Sequence, residues 1–388
     1  MPQTAQDIGR LFSPLQIGYI AECIEPINAN TNVDWALEMI ADQPDVEEVP
    51  VERDGTVLGV VPRAILNKLA GSSWTRFWQK DLDAYIIKAT EVLDATTYIN
   101  KVITTALSEE QSEATWYVVQ HRRSYLGMLS LRRMLEYTNA IRTQDLNRAS
   151  EIQDWLLDKS SVKDKRFDLC LFNAMAHEIG GDFYRVYQAD KDRYLVGCFD
   201  VAGKNISGAM TTMALGACFA AFELFQYVGN ASNMTHRINA LIKNVNPPGI
   251  FVTAVLFYLD FTVNQIRVHN CGFSPVLIFV PRDENKISYK IAYPNLPPLG
   301  IEDEYDLSDS LIIPISRGLR ICAYSDGLTD MKNIYGERYG EEQTTKLVKA
   351  LHNVPVKSLK HRLESEIQSW VGTASLADDV TLVDMRFN

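Results

Sequence analysis

The chain has 388 residues, 46% of them apolar and 22% charged, with a net charge of -11 and a pI near 5.1. That length exceeds what one hydrophobic core usually serves, so two or three domains of ordinary globular composition are expected. The acidic balance argues against nucleic acid and against an anionic membrane surface as partners.

The opening MPQTAQDIGRLF has no basic stretch followed by an apolar one, so no secretory leader is expected. The six cysteines, Cys23, Cys170, Cys198, Cys218, Cys271 and Cys322, form no Cys-x-x-Cys pair. They therefore signal neither a zinc site nor a redox motif. Most lie in apolar runs and read as buried free thiols, which suits a reducing cytoplasm. The longest uncharged stretch, 205–222, carries Ser207, Thr211 and Thr212. It reads as a buried core helix, because a membrane span needs about 20 predominantly apolar residues.

The first ~140 residues repeat one skeleton. Residues 31–41 (TNVDWALEMIA) have helical spacing, and 47–70 read strand, Asp54-Gly55 turn, strand, helix. Residues 96–107 (TTYINKVITTAL) are again helical, and 114–139 read strand, polar turn, strand, helix. Both second strands carry Leu-Gly, as Leu58-Gly59 and Leu126-Gly127. This skeleton resembles a cystathionine-β-synthase (CBS) domain pair over residues 1–139. The resemblance implies an adenosine nucleotide in the cleft between the repeats, held by a Ser/Thr-x-x-Asp at the last helix of each. The corresponding stretches, Pro62-Arg63-Ala64-Ile65 and Ser130-Leu131-Arg132-Arg133, lack the acid. A module for dimerisation or scaffolding is the alternative.

Residues 131–158 contain neither Gly nor Pro, and apolar residues recur at Leu131, Met134, Leu135, Ile141, Leu146, Ile152, Trp155 and Leu156. One long, partly amphipathic helix is expected. Within the 140–166 connector it is either a solvated link or a helix that pairs in a homodimer and carries a signal. From 167 to 388, strand-like runs at 182–187, 194–199, 251–260, 265–270, 275–280, 319–324 and 380–387 mix with helical runs at 207–227, 231–245, 341–352 and 356–371. The short link between 260 and 265 forces an antiparallel pair, so the class is α+β.

Several familiar motifs fail. Gly203-Lys204 lacks the remainder of a phosphate-binding P-loop, and His177-Glu178 is followed by Gly181 where a zinc-protease helix needs His. No Gly-x-Ser-x-Gly elbow is present. What remains is four aspartates where apolar runs meet glycines: Asp182 in GGDFYRV, Asp200 in CFDVAGK, Asp326 in YSDGLTD and Asp378 in ADDVTLV. A carboxylate at the mouth of a buried strand is costly unless a cation compensates it. Four of them suggest a pair of hard divalent cations, Mg²⁺ or Mn²⁺, a common device for phosphate-ester hydrolysis.

These motifs, with FVTAVLFYLD, HNCGFSPVLIF, LPPLGI and GERYG in the same order, resemble a SpoIIE/RsbU-type serine/threonine phosphatase of the metal-dependent PPM (protein phosphatase 2C-like) superfamily. The resemblance implies a two-sheet antiparallel β-sandwich flanked by helices, with two Mn²⁺ or Mg²⁺ ions at one end. It implies that Asp182, Asp200, the Val201 carbonyl, Asp326 and Asp378 are ligands, with Asp379 next in line should the register slip by one. The implied reaction is hydrolysis of a phosphoprotein monoester by a metal-activated hydroxide. The implied substrate is a phosphorylated bacterial regulator such as an anti-sigma-factor antagonist. Three positions depart from the family pattern: Lys204-Asn205, Arg185 and the 269–275 turn. Arg185 and Lys204 are either phosphate contacts or solvated surface bases. The competing reading is a nucleotide sensor or scaffold with a silent phosphatase fold.

Overall fold

The computed structural model describes residues 11–42, 46–70, 81–88, 91–108, 116–158, 162, 164–203, 206–283, 286–308 and 310–388. They belong to two compact units, Met1–Asp145 and Leu146–Asn388.

In the first unit, β1 (Ile27–Asn28), β2 (Glu48–Arg53), β3 (Thr56–Pro62) and β4 (Ile87–Lys88) form one sheet in that order. A second sheet orders β5 (Val92–Asp94), β6 (Trp116–His121) and β7 (Ser124–Ser130). The sequence repeat is also a repeat of backbone geometry. In each half a short strand runs parallel to the first arm of a hairpin. Both hairpins slip register at the same place, between Val51 and Glu52 and between Val119 and Gln120. Both turn through two residues with positive φ, Asp54 and Gly55 in one, Arg122 and Arg123 in the other. That is the turn whose twist matches paired strands. Gly127 is required by a close approach. A Cβ there would overlap the Glu22 carbonyl, and Glu22 exchanges two backbone hydrogen bonds of 2.8 Å with Met128.

In the second unit, one antiparallel sheet orders β15-β12-β11-β10-β9 and the other β14-β13-β16-β17-β8. The strands are β8 (Phe167–Ala174), β9 (Asp182–Gln188), β10 (Arg193–Val201), β11 (Val252–Asp260), β12 (Gln265–Cys271), β13 (Val276–Asp283), β14 (Lys286–Ala292), β15 (Leu311–Pro314), β16 (Arg320–Tyr324) and β17 (Val380–Phe387). Alternation sorts their side chains into two layers. Inward-facing Leu171, Ile321, Val383 and Met385 are buried in a core shared with the first sheet. The helices Ile206–Leu224 and Ala231–Val245 cover that first sheet, with Phe219 packed on Phe183 and Phe199. Ile206–Leu224 is long and apolar enough to cross a membrane, yet Leu215, Phe219 and Phe222 are spent on this sheet. The helices Gly340–Ala350 and Val356–Val371 cover the second sheet through Leu347, Leu359 and Leu363.

In the second unit three strands go beyond the sequence expectation: β8, β14 and β15. All three are sheet edges, where half the ladder is unpaired. Cys170, Cys198, Cys271 and Cys322 are buried free thiols, Cys218 is half-buried and Cys23 is exposed.

A buried ion pair ties the last strand to its neighbour. Arg320 (1% exposed) donates to Asp384 (0% exposed) through Nε at 2.8 Å and to the Val348 carbonyl at 2.8 Å. Arg386 bonds the other Asp384 oxygen at 2.9 Å and the carbonyls of Leu351 and Val354. Breaking one side of such a pair leaves an uncompensated buried charge, at a cost of about 3–5 kcal/mol. Asp384→Ala is therefore expected to lower the opening free energy of the β16 and β17 amides by that amount in native-state hydrogen exchange. Unchanged protection in those strands would remove the pair from the list of stabilising contacts.

Candidate active site

The site is built where the two sheets end together. Asp182 and Asp200 are direct partners across the β9–β10 ladder, and Thr253 of β11 is next in the row. Directly opposed residues project from the same face of a sheet, so two like charges are forced together. Asp182 is 2% exposed, and its carboxyl is held well above the usual range, by burial first and then by the Asp200 charge. The Thr381 and Ser325 hydroxyls act in the opposite direction. Its Oδ2 is buried with no hydrogen-bond partner. Asp200 is pushed up to about 7, again by burial first and then by Asp326, Asp378 and Asp379. The Thr253 hydroxyl lies 3.5 Å from Asp200 Oδ2.

The second sheet contributes the remaining acids. β16 runs out at Tyr324, and Asp326 opens the short helix Gly327–Asp330 without capping it through its side chain. Asp378 and Asp379 immediately precede β17. Ser325 stitches the two segments together. Its amide donates to the Thr381 carbonyl at 2.8 Å, its hydroxyl donates to the Asp379 carbonyl at 3.2 Å, and the same oxygen accepts the Thr381 amide at 2.8 Å. A Cβ at position 327 would overlap the Asp379 carbonyl. The Asp-Gly here is thus a close backbone approach and not a plain turn.

Of the six residues expected from sequence, Asp200, Val201, Asp326, Asp378 and Asp379 line one cavity of about 270 Å³. Asp182 lies outside that lining, buried beside Asp200. The two neighbours Asp378 and Asp379 are not equivalent. Asp379 Oδ1 accepts the Ala176 amide at 2.8 Å, and Oδ2 accepts the Gly181 amide at 2.7 Å and the Asp182 amide at 3.4 Å. Both its oxygens are therefore engaged in fixing the backbone that carries Asp182. Among the described residues, no three His, Cys, Asp or Glu side chains are grouped closely enough to chelate one ion.

Two residues at the site are not expected there from the sequence. His177 stands exposed on the cavity wall. Gln153, on the helix Leu131–Asp158, is 2% exposed and grips both polar groups of Gly180. Its Nε2 donates to the Gly180 carbonyl at 2.8 Å and to Thr212 Oγ1 at 2.9 Å, and its Oε1 accepts the Gly180 amide at 3.0 Å. A lone Gln in a helix rich in polar residues looks solvated until the fold is known.

Arg185 corrects both sequence expectations for it. It is neither a solvated base nor part of the cavity wall. Its guanidinium is 2% exposed, donates to the Leu156 carbonyl at 2.8 Å and pairs with Glu223 at 2.6 Å. Three residues along β9 from Asp182, it projects from the opposite face, toward the helices. Lys204 and Asn205 lie outside the described residues. The unusual 269–275 turn is also structural. His269 bonds Thr235 at 2.7 Å and Ser310 at 2.9 Å. Burial holds its imidazole down at about 4. Asn270 bonds the Phe273 amide and the Ser274 carbonyl.

Comparison with known proteins bears on the fold and the family. The SiaA-PP2C domain of Pseudomonas aeruginosa superposes with a TM-score of 0.54 at 18% identity, over 65% of this chain and 99% of that domain. The second unit therefore has the PP2C-type fold. The phosphoserine phosphatase RsbP of Bacillus subtilis (strain 168) is 25% identical over 248 residues, which is 63% of this chain. The chain spans 58% of the length of RsbP. The family model described as Stage II sporulation protein E (SpoIIE) matches residues 190–388, just over half of the sequence. The chain belongs to the SpoIIE family.

Proposed function

We propose that this chain is a metal-dependent protein serine/threonine phosphatase. The observation that carries the reading is the buried Asp182 Oδ2, which has no hydrogen-bond partner and lies beside an Asp200 carboxyl raised by burial first and then by its acidic neighbours. An unpaired buried carboxylate oxygen is expensive unless a cation completes it. The donor set is all oxygen, which fits Mg²⁺ or Mn²⁺. Asp182, Asp200, the Val201 carbonyl, Asp326 and Asp378 would hold two such ions, while Asp379 braces the backbone. Bound there, the ions would supply positive charge for the phosphoryl oxygens and acidify a water at neutral pH.

The protein's own contribution is positional. Asp379 and Gln153 fix Gly180 and Gly181 from two sides, so Asp182 enters β9 in one geometry. Asp326 and Asp378 bring acids from the opposite sheet to the same cavity. The name of the RsbP relative supports phosphoserine as the substrate group, and we expect it on a signalling protein such as an anti-sigma-factor antagonist. The first unit, with its two structural repeats, would then be regulatory. As a CBS-like pair it would take an adenosine nucleotide, pass its state along the Leu131–Asp158 helix and support a homodimer.

The first test is hydrolysis of p-nitrophenyl phosphate with and without Mn²⁺. Asp200→Asn is expected to lose at least ~100-fold, because even groups that only orient metal ligands are worth 10–100-fold. Full activity in a folded Asp200→Asn would overturn the reading, and a wild type without turnover would favour a silent fold.

A pH test follows from the raised carboxyls. A folded-state pKa above the unfolded value means that the native protein holds its proton more tightly. Stability from this source is present at low pH and lost as pH rises from about 4 through the Asp200 value of about 7. In chelator, the melting temperature is expected to fall across that window. Mg²⁺ or Mn²⁺, which needs the deprotonated acids, is expected to restore it at the upper end. A melting temperature flat across that window and indifferent to the ions would refute the metal assignment.

A further inference from the structure

A second cavity, of about 230 Å³, lies at the other end of the helix-covered sheet. Its floor is two rows of cross-strand partners. One row is Leu195, Tyr258 and Arg267, and the next is Arg193, Asp260 and Gln265. Its roof is the start of the helix Ala231–Val245, with Met234 pointing down. Arg193 is seven residues from Asp200 along β10, which places the two cavities about 23 Å apart at ~3.3 Å per residue. This pocket is therefore separate from the aspartates and unused by the chemistry proposed for them.

The interior is apolar: Leu195 is 1% exposed, Met234 2% and Tyr258 8%. The Tyr258 hydroxyl is already spent on Thr235 at 2.7 Å. Around the mouth the charges are unequal. Arg193 is neutralised by Asp190, with bonds of 2.8 and 2.6 Å. Asp260 accepts the amide and hydroxyl of Thr262 in its own turn. Arg267 is different. It is half-buried in the strand, and none of the described residues hydrogen-bonds or ion-pairs with its guanidinium. A guanidinium without a partner beside an apolar floor is a receptor for one planar anion. The first turn of the adjoining helix adds its partial positive charge on the same side.

We propose that this cavity binds a small carboxylic acid, its apolar body on Leu195, Tyr258 and Met234 and its carboxylate on Arg267. A carboxylate matches a single guanidinium, whereas a phosphate dianion would need more cationic groups than one free arginine beside Asp260. The volume, just under the ~300–1,000 Å³ of ordinary ligand pockets, restricts the body to about one ring.

The test uses the full chain and 4-fluorobenzoate, followed by ¹⁹F relaxation. Wild type is expected to bind the probe, and Arg267→Gln to weaken it at least ~10-fold, as for a charged hydrogen bond. Neutral 4-fluorobenzamide is expected not to bind wild type, a result that does not depend on how the variant folds. Asp200→Asn is expected to bind the probe as wild type does. The proposal is overturned if wild type does not bind, if Arg267→Gln binds equally well, if the amide binds as tightly as the acid, or if Asp200→Asn alone abolishes binding, which would place the probe among the aspartates.

Discussion

Mutual repulsion among buried carboxylates is the constraint on which the second unit is organised. Asp182 and Asp200 face each other across one ladder, and Asp326, Asp378 and Asp379 add charge around Asp200. A sandwich left to itself would not choose this. The rest of the packing has to impose it, through strand ends that cannot move independently. Ser325 locks β16 to β17, and Asp379 locks the start of β17 to the start of β9. Each lock joins a buried side chain, the Ser325 hydroxyl or the Asp379 carboxylate, to backbone amides of the other strand. The repulsion is thus borne by the frame and concentrated where the two sheets end together.

Much of this was legible in the sequence because the physics of each segment is local. A run such as YLVGCFD alternates onto both faces of a buried strand, and its terminal acid must then sit at the sheet end. The repeat in the first unit was legible for the same reason: each hairpin carries its own turn residues and its own Leu-Gly. What was not legible depends on partners far along the chain. Nothing local distinguishes Asp378 from Asp379. The difference arises only when the amides of Ala176, Gly181 and Asp182 arrive beside one of them. Arg185 reads as a surface base until Glu223 and the Leu156 carbonyl enclose it. β15 buries only Ile313 fully and so writes almost no pattern, whereas β8 buries Phe167, Cys170, Leu171 and Phe172 but finds its ladder partner, β17, more than 200 residues along the chain.

Gly180 joins these two kinds of information. A Cβ there would overlap the Asp379 carboxylate, so the glycine is a steric requirement of the lock. Its amide and carbonyl are both held by Gln153. One residue therefore touches a helix side chain on one side and, through the next residue, the brace of the acid cluster on the other. A primary amide suits that position because it donates and accepts in one plane, and replacing it with an apolar group would leave two buried backbone groups unsatisfied. The Thr212 hydroxyl, bonded to the same Gln153 nitrogen, brings in the helix Ile206–Leu224. The geometry of Asp182 is consequently set by two helices as well as by two sheets.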